Sequence, residues 1–382
     1  MKILTNMQSV KVGGIAQSML SFLKFLKKNN REDISVVGVD IIRKYSLNEQ
    51  LTYRRETNNN ITIISQDVFC RKIRDVLLST TSLHGLENEY RNIIEIFKEI
   101  IKKEKPDLIV LNGTYFIPWC FYLAAKTTNF PILLHYHGMI TKETETWDSH
   151  SHLLMKQMEQ TFDNSRLQYI FPSQLAKEVV ENEVFGHKIS RSAILANSIP
   201  DHFFEVNTVD ASRNVGVVGR WNDIKNPSFI MKLAKYNQDN NSFFGINVVT
   251  DIEDIPEKDR KRLKSANLHA SMTSFKLSKF YADMGAILCP SIFESYGNVP
   301  QEAVASGTPA LVGNNMGIAE VFRRLGLVDF IVDFSSVKNI YEKTKDVSQQ
   351  RVDKKIRKKM KRMLSSKKIN TELLNIYRQT SS

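Results

Sequence analysis

Residues 290–317 read PSIFESYGNVPQEAVASGTPALVGNNMG. The apolar run at 286–289 ahead of it predicts a strand, residues 299–306 a helix, and residues 310–312 another strand. The helix start is marked three ways: Asn298 as N-cap, Pro300 in the first turn, and Gln301 three residues after the cap as in a capping box. Gly307 and Pro309 end it. Gly297 stands just ahead, where a missing side chain lets an anion approach free backbone N–H groups at the positive end of the helix dipole. Glu294 falls in the loop, and Glu302, eight residues on, sits one turn into the helix, where it could accept hydrogen bonds from vicinal hydroxyls such as those of a ribose. Taken alone, this is also what an ordinary strand–turn–helix unit with two surface carboxylates looks like.

Working outward, the same strand-then-helix rhythm recurs along the chain. Strands are expected at 214–219 and 244–250 and helices at 227–236 and 277–282. Before them come strands at 2–5, 34–39, 61–65, 108–111, 132–135, 168–171 and 193–196, with helices at 14–28 and 87–103. Strands that are continuously apolar and alternate with helices predict a parallel sheet covered on both faces. The polar stretch 201–213 is the best linker, giving an N-terminal domain over 1–205, a C-terminal domain over 212–350, and a basic segment with a last helix over 351–382. Two such α/β halves would turn their strand ends toward a shared cleft, the usual place for a ligand.

Three further stretches carry candidate chemistry. VVGRWNDIKNP (217–227) places Arg220 and Lys225 after the first strand of the second half, where two cations can stabilise charge on a departing diphosphate or simply sit solvated beside a turn. KVGGI (11–15) pairs Gly13 and Gly14 at the opening of the first helix, which is commonly no more than a turn. HYHG (135–138) ends a strand with His135 and His137, and Asp148, His150 and His152 follow closely enough to raise a zinc or iron site.

Composition narrows the classes. With 382 residues, 42% hydrophobic and 25% charged, the chain has the make-up of a folded globular protein. No apolar run reaches the ~18 residues of a membrane span, since 108–125 is broken by Asn112, Gly113 and Pro118. MKILTNMQ lacks an apolar core and a cleavage site, so no export signal is expected. Cys70, Cys120 and Cys289 are far apart, which argues against a disulfide scaffold or thiolate zinc site and suits a reducing compartment. The net charge is +12, of which +9 lies between Arg351 and Lys368, so this is a near-neutral chain with one basic stripe.

The stretch quoted first resembles the donor-site signature of GT-B glycosyltransferases, specifically the retaining family 4 type (glycosyl transferases group 1). Pro290, Ser291, Glu294, Tyr296, Gly297, Glu302, Ala303, Ala305, Gly307 and Pro309 all fall on the family pattern. The resemblance implies a GT-B fold, α/β with two Rossmann-like domains facing across a cleft. It also implies an enzyme that moves a sugar from a UDP- or GDP-sugar, as co-substrate and with no other cofactor, retaining the anomeric configuration. By the same resemblance Arg220 and Lys225 hold the diphosphate, Glu294 meets the sugar, Gly297 and Asn298 offer amides to phosphate, and Tyr296 and Glu302 belong to the donor site. Gly13 and Gly14 match the loop near the donor phosphate, and His137 matches a histidine facing the sugar. No catalytic metal is implied, and the chain has no Asp-x-Asp. The acceptor is expected to be a glycan or lipid-linked molecule of envelope, capsule or exopolysaccharide synthesis, and the site cytoplasmic or peripheral on the inner membrane face. Three departures stand out: Ser198 replaces a glycine at the hinge, VVTDIED (248–254) lacks the glycine that usually ends its strand, and 271–275 fits no base-reading pattern.

Two other readings compete with this one. A metal-dependent hydrolase would use His135, His137, His150 and His152. A nucleic-acid binder would use residues 351–368, although no nucleic acid partner is expected from the near-neutral remainder. Within that stripe Val352, Ile356, Met360, Met363 and Leu364 recur at helical spacing, so it suits either an anionic membrane surface or a packed helix with a solvated basic face.

Overall fold

The computed structural model describes residues 1–7, 14–46, 48–207 and 212–381, with backbone only at 14–17. The chain divides into two units: Met1–Pro172 with Ala176–Leu195 and Asn370–Ser382, and Ser173–Leu175 with Ala196–Ile369.

The first unit is built on eight strands: β1 (Lys2–Asn6), β2 (Ser35–Lys44), β3 (Tyr53–Asn58), β4 (Ile61–Phe69), β5 (Leu108–Asn112), β6 (Ile132–His135), β7 (Leu167–Phe171) and β8 (Ser192–Ile194). They lie in the order β3-β4-β2-β1-β5-β6-β7-β8, parallel throughout except for β3 against β4. The strand expectations hold for every parallel member. β3 escapes them because YRRETN is exposed along its whole length and shows no alternation. Its charges keep a free edge soluble, and Arg55 holds it to the helix Arg91–Glu104 through Glu104 at 2.7 Å. The single helix expected at 87–103 is two helices, Leu83–Glu89 and Arg91–Glu104. The break falls at Tyr90 (φ −103°, ψ 14°), whose buried ring packs 5.1 Å from Phe116. The chain's end returns to this unit, with Tyr377 edge-on to Phe22 at 5.3 Å and Asn370 Nδ2 donating to Ser21 Oγ at 3.0 Å.

The second unit carries β9 (Asn214–Val218), β10 (Gly245–Val249), β11 (Ala266–His269), β12 (Ala286–Cys289) and β13 (Ala310–Val312), all parallel in the order β11-β10-β9-β12-β13. Val215, Val217, Ile246, Val248 and Leu288 form one core with Phe229, Ile230 and Leu233 of the helix Pro227–Asp239 and Ile340 and Tyr341 of Val337–Ser348. The order runs one way from β9 through β10 and the other way through β12. The direction in which successive strands are added therefore reverses between β9 and β12, and in open α/β sheets the loops leaving the carboxyl ends at such a switch point spread apart and leave a crevice. Those loops are 219–226 and 290–297.

Candidate functional site

The two loops are sewn together. After β9 the chain forms a short 3₁₀ turn, Asp223–Lys225, and Asn226 takes a left-handed conformation (φ 55°) from which its side chain caps the next helix through Phe229 N–H. Asn226 Nδ2 also donates to Pro290 O at 3.2 Å, and Ile292 N–H to Ile224 O at 2.8 Å. Lys225 is thereby held against the loop after β12, where its Nζ lies 2.7 Å from Glu294 Oε1. Arg220, Lys225 and Glu294, expected together from the sequence, line one pocket with Gly219, Trp221 and Val299. Arg220 is exposed.

Gly297 has φ 111°, a conformation open to glycine at little cost. That shifts the helix start by one residue. Gly297 is the N-cap and Asn298 the first residue of the helix Asn298–Ala305, which corrects the expected Asn298 cap and its capping box. The Asn298 side chain instead accepts from Asn197 Nδ2 at 2.9 Å and from Gln301 Nε2 at 3.3 Å. The first-turn amides still lack intrahelical partners, as at any helix start. Tyr296 is turned inward, 2% exposed, with its hydroxyl donating to Gln301 Oε1 at 2.9 Å, so its side chain supports the turn. Glu302 is half-buried and receives the Tyr281 hydroxyl at 3.2 Å; loss of solvent pushes its carboxyl up to about 8.

Other expected residues lie elsewhere. Gly13 is outside the described residues, and Gly14 begins the helix Gly14–Lys28 of the first unit. His137 follows β6 in that unit, its ring 4.1 Å from the buried His135, and desolvation brings its pKa down to about 4, which keeps it neutral near pH 7. The metal reading fails on geometry. Asp148 caps the helix Ser149–Gln160 through Ser151 N–H, His150 bonds Thr80 O at 3.0 Å, and His152 bonds Thr144 Oγ1 at 3.0 Å. Among the described residues no three His, Cys, Asp or Glu converge on a metal-sized site.

Sequence reasoning missed Trp221, which lines the pocket and donates from Nε1 to Asp259 Oδ2 at 3.1 Å; its one signal is adjacency to Arg220. Where the strand-ending glycine is absent, Thr250 is buried, its N–H on His269 O. In the 271–275 loop Ser271 Oγ donates to Asp251 Oδ1 at 3.3 Å, Thr273 caps the helix Ser274–Asp283, and the Phe275 ring is exposed.

The basic stripe forms the helix Lys354–Leu364. Val352, Met360 and Leu364 are buried and Ile356 and Met363 half-buried, so its apolar seam is used within the unit. Three cations turn onto the carbonyl ends of neighbouring helices: Arg351 onto Met284 O, Arg357 Nε onto Ala305 O at 2.8 Å, and Lys359 onto Arg324 O. Cations are stabilising there, where carbonyls lack partners and the dipole is negative. The nucleic-acid reading loses these three charges. No helix among the described residues is long and apolar enough to cross a membrane.

Comparison with known proteins gives a family match on the second unit and likenesses for the fold. Residues 198–364 match the family glycosyl transferases group 1. The whole fold is similar to sucrose-phosphate synthase from Thermosynechococcus elongatus (TM-score 0.72, 16% identity, covering 99% of this chain and 98% of that one). It is also similar to a glycosyltransferase from Rickettsia africae (TM-score 0.66, 14% identity, 99% and 98%) and to a UDP-forming α,α-trehalose-phosphate synthase from Burkholderia xenovorans (TM-score 0.65, 11% identity, 100% and 100%). These likenesses establish the GT-B fold. No curated protein sequence matches the chain.

Proposed function

We propose that this chain, a GT-B glycosyltransferase whose residues 198–364 form a glycosyl transferases group 1 domain, moves a sugar from a nucleoside diphosphate donor to a glycan or lipid-linked acceptor with retention of configuration. The observation that carries the reading is the Lys225–Glu294 contact of 2.7 Å, in a pocket that Arg220 also lines, at the switch point of the second sheet. Arg220 and Lys225 take the diphosphate and stabilise the charge that grows on it as the glycosidic bond breaks. Gly297 and Asn298 offer backbone amides to phosphate, Glu302 accepts the ribose hydroxyls, and Glu294 meets the sugar. Among the first unit's residues we assign His137 to the donor sugar; neutral at pH 7, it can donate or accept a hydrogen bond there. In front-side attack the leaving phosphate oxygen takes the acceptor's proton, so no separate base is required.

The similar structures include a sucrose-phosphate synthase and a UDP-forming α,α-trehalose-phosphate synthase. They support a nucleotide-sugar donor, with UDP- and GDP-sugars the first to try. Incubation with a panel of UDP-, GDP- and ADP-sugars, with and without EDTA, tests the reading. Nucleoside diphosphate release from one donor is expected, unaffected by EDTA and reduced on the order of 10²-fold or more in Lys225→Ala. Release that EDTA abolishes, or that Lys225→Ala leaves intact, overturns it.

For the acceptor side, we read the exposed face Lys354, Lys355, Lys358, Lys361 and Arg362 as an electrostatic contact for an anionic bilayer, each charge contributing about 1 kcal/mol near the surface. The seam beneath it is occupied by the unit's own packing, so the contact is adsorption rather than insertion.

A further inference from the structure

Glu294 presents two carboxylate oxygens, and the structure occupies one of them. Oε1 receives both Lys225 Nζ and Ser291 Oγ, each at 2.7 Å. Oε2 has no partner among the described residues, and the side chain, 20% exposed, stands in the pocket wall. The backbone beneath is fixed on both sides: Glu294 N–H donates to Asn315 O at 3.2 Å, Glu294 O accepts from Gly317 N–H at 3.1 Å, and Ser291 O accepts from Asn315 Nδ2 at 3.1 Å. Gly317 cannot carry a side chain here, because a Cβ would lie 2.4 Å from Ser295 O.

We infer that Ser291 is a positioning residue that sets sugar recognition by Glu294. The inference rests on the glycosyltransferase reading above. Lys225 is shared: its ammonium is the cation nearest Glu294 and is also assigned to the incoming diphosphate. When Nζ turns toward phosphate, its hold on Oε1 weakens. The Ser291 hydroxyl is 5% exposed, inside the loop, and does not compete for phosphate. It keeps Oε1 occupied and so leaves Oε2 as the oxygen that faces a sugar hydroxyl. A hydroxyl donating to an ionised carboxylate is among the stronger protein hydrogen bonds and fixes direction as well as distance. Ser291 therefore acts on the sugar half of the donor and not on its nucleotide half.

Calorimetric titration with UDP, UDP-glucose, GDP and GDP-mannose separates the halves. In Ser291→Ala, affinity for the nucleoside diphosphate that binds should stay within about twofold, while affinity for its sugar conjugate falls about tenfold. Ser291→Thr, which keeps the hydroxyl, should restore it. Equal weakening of both ligands would make Ser291 a merely structural residue and overturn the inference, as would an unchanged affinity for the conjugate. Failure of the unsubstituted protein to bind any of the four, or either of ADP and ADP-glucose, would overturn the glycosyltransferase reading itself, and this inference with it.

Discussion

Glu302 shows how one residue's surroundings set its chemistry. A carboxyl pushed up to about 8 by burial is mostly neutral at pH 7 and ionised at pH 9. Two ribose hydroxyls donating together need the ionised form. Nucleoside diphosphate affinity should therefore rise about tenfold from pH 7 to pH 9, and Glu302→Gln should flatten the profile. A profile that rises equally in Glu302→Gln would remove Glu302 from the ribose. Residues of this kind were legible because their signal is turn chemistry: Gly297, Pro300 and Pro309 mark a strand–turn–helix with little ambiguity. Which residue caps the helix was not legible, since both Gly297 and Asn298 suit the position and only the φ of 111° decides. Nor could the sequence show that the Tyr296 ring points inward, because that depends on Gln301 being buried beside it.

At the scale of elements, every strand was legible except β3 and β11, while the other two edge strands, β8 and β13, were expected. β5 is buried at all five positions and β6 at all four, so apolar runs mark them. β3 and β11 lie at the ends of their sheets, where one side of the ladder meets solvent and the sequence pattern fades. The helix break at Tyr90 was hidden because an aromatic residue at that spacing reads as core on either side of a kink. The basic helix divides by contact rather than by composition. Arg357 also donates to Phe204 O at 3.0 Å, and loss of solvent lowers its pKa. Arg357→Ala should cost about 1–3 kcal/mol in urea unfolding, because two carbonyls lose a charged donor. Reversal of Lys354, Lys355 and Lys358 to Glu should leave stability within about 0.5 kcal/mol while abolishing sedimentation with phosphatidylglycerol vesicles. Loss of stability without loss of vesicle binding would assign the exposed face to folding instead.

At the scale of the whole molecule, two parallel sheets were foreseeable from the recurrence of strand-then-helix, and each sheet now has a defined order. The second unit's site was the more legible because both loops that form it follow central strands and carry charged residues and glycine at short spacing. The first unit's carboxyl edge draws on residues far apart in sequence, such as Asn112 and His135, which share a register only once β5 and β6 pair. Nothing in either local sequence announces that partnership. On the proposed function, the loops after β9 and β12 hold a nucleoside diphosphate. A crystal structure with the nucleotide that the protein binds tests it most directly. Phosphates within hydrogen-bond reach of Arg220 and Lys225, with the ribose on Glu302, are the predicted result. A nucleotide bound away from these loops, with Lys225 still on Glu294 and Glu302 untouched, would contradict it.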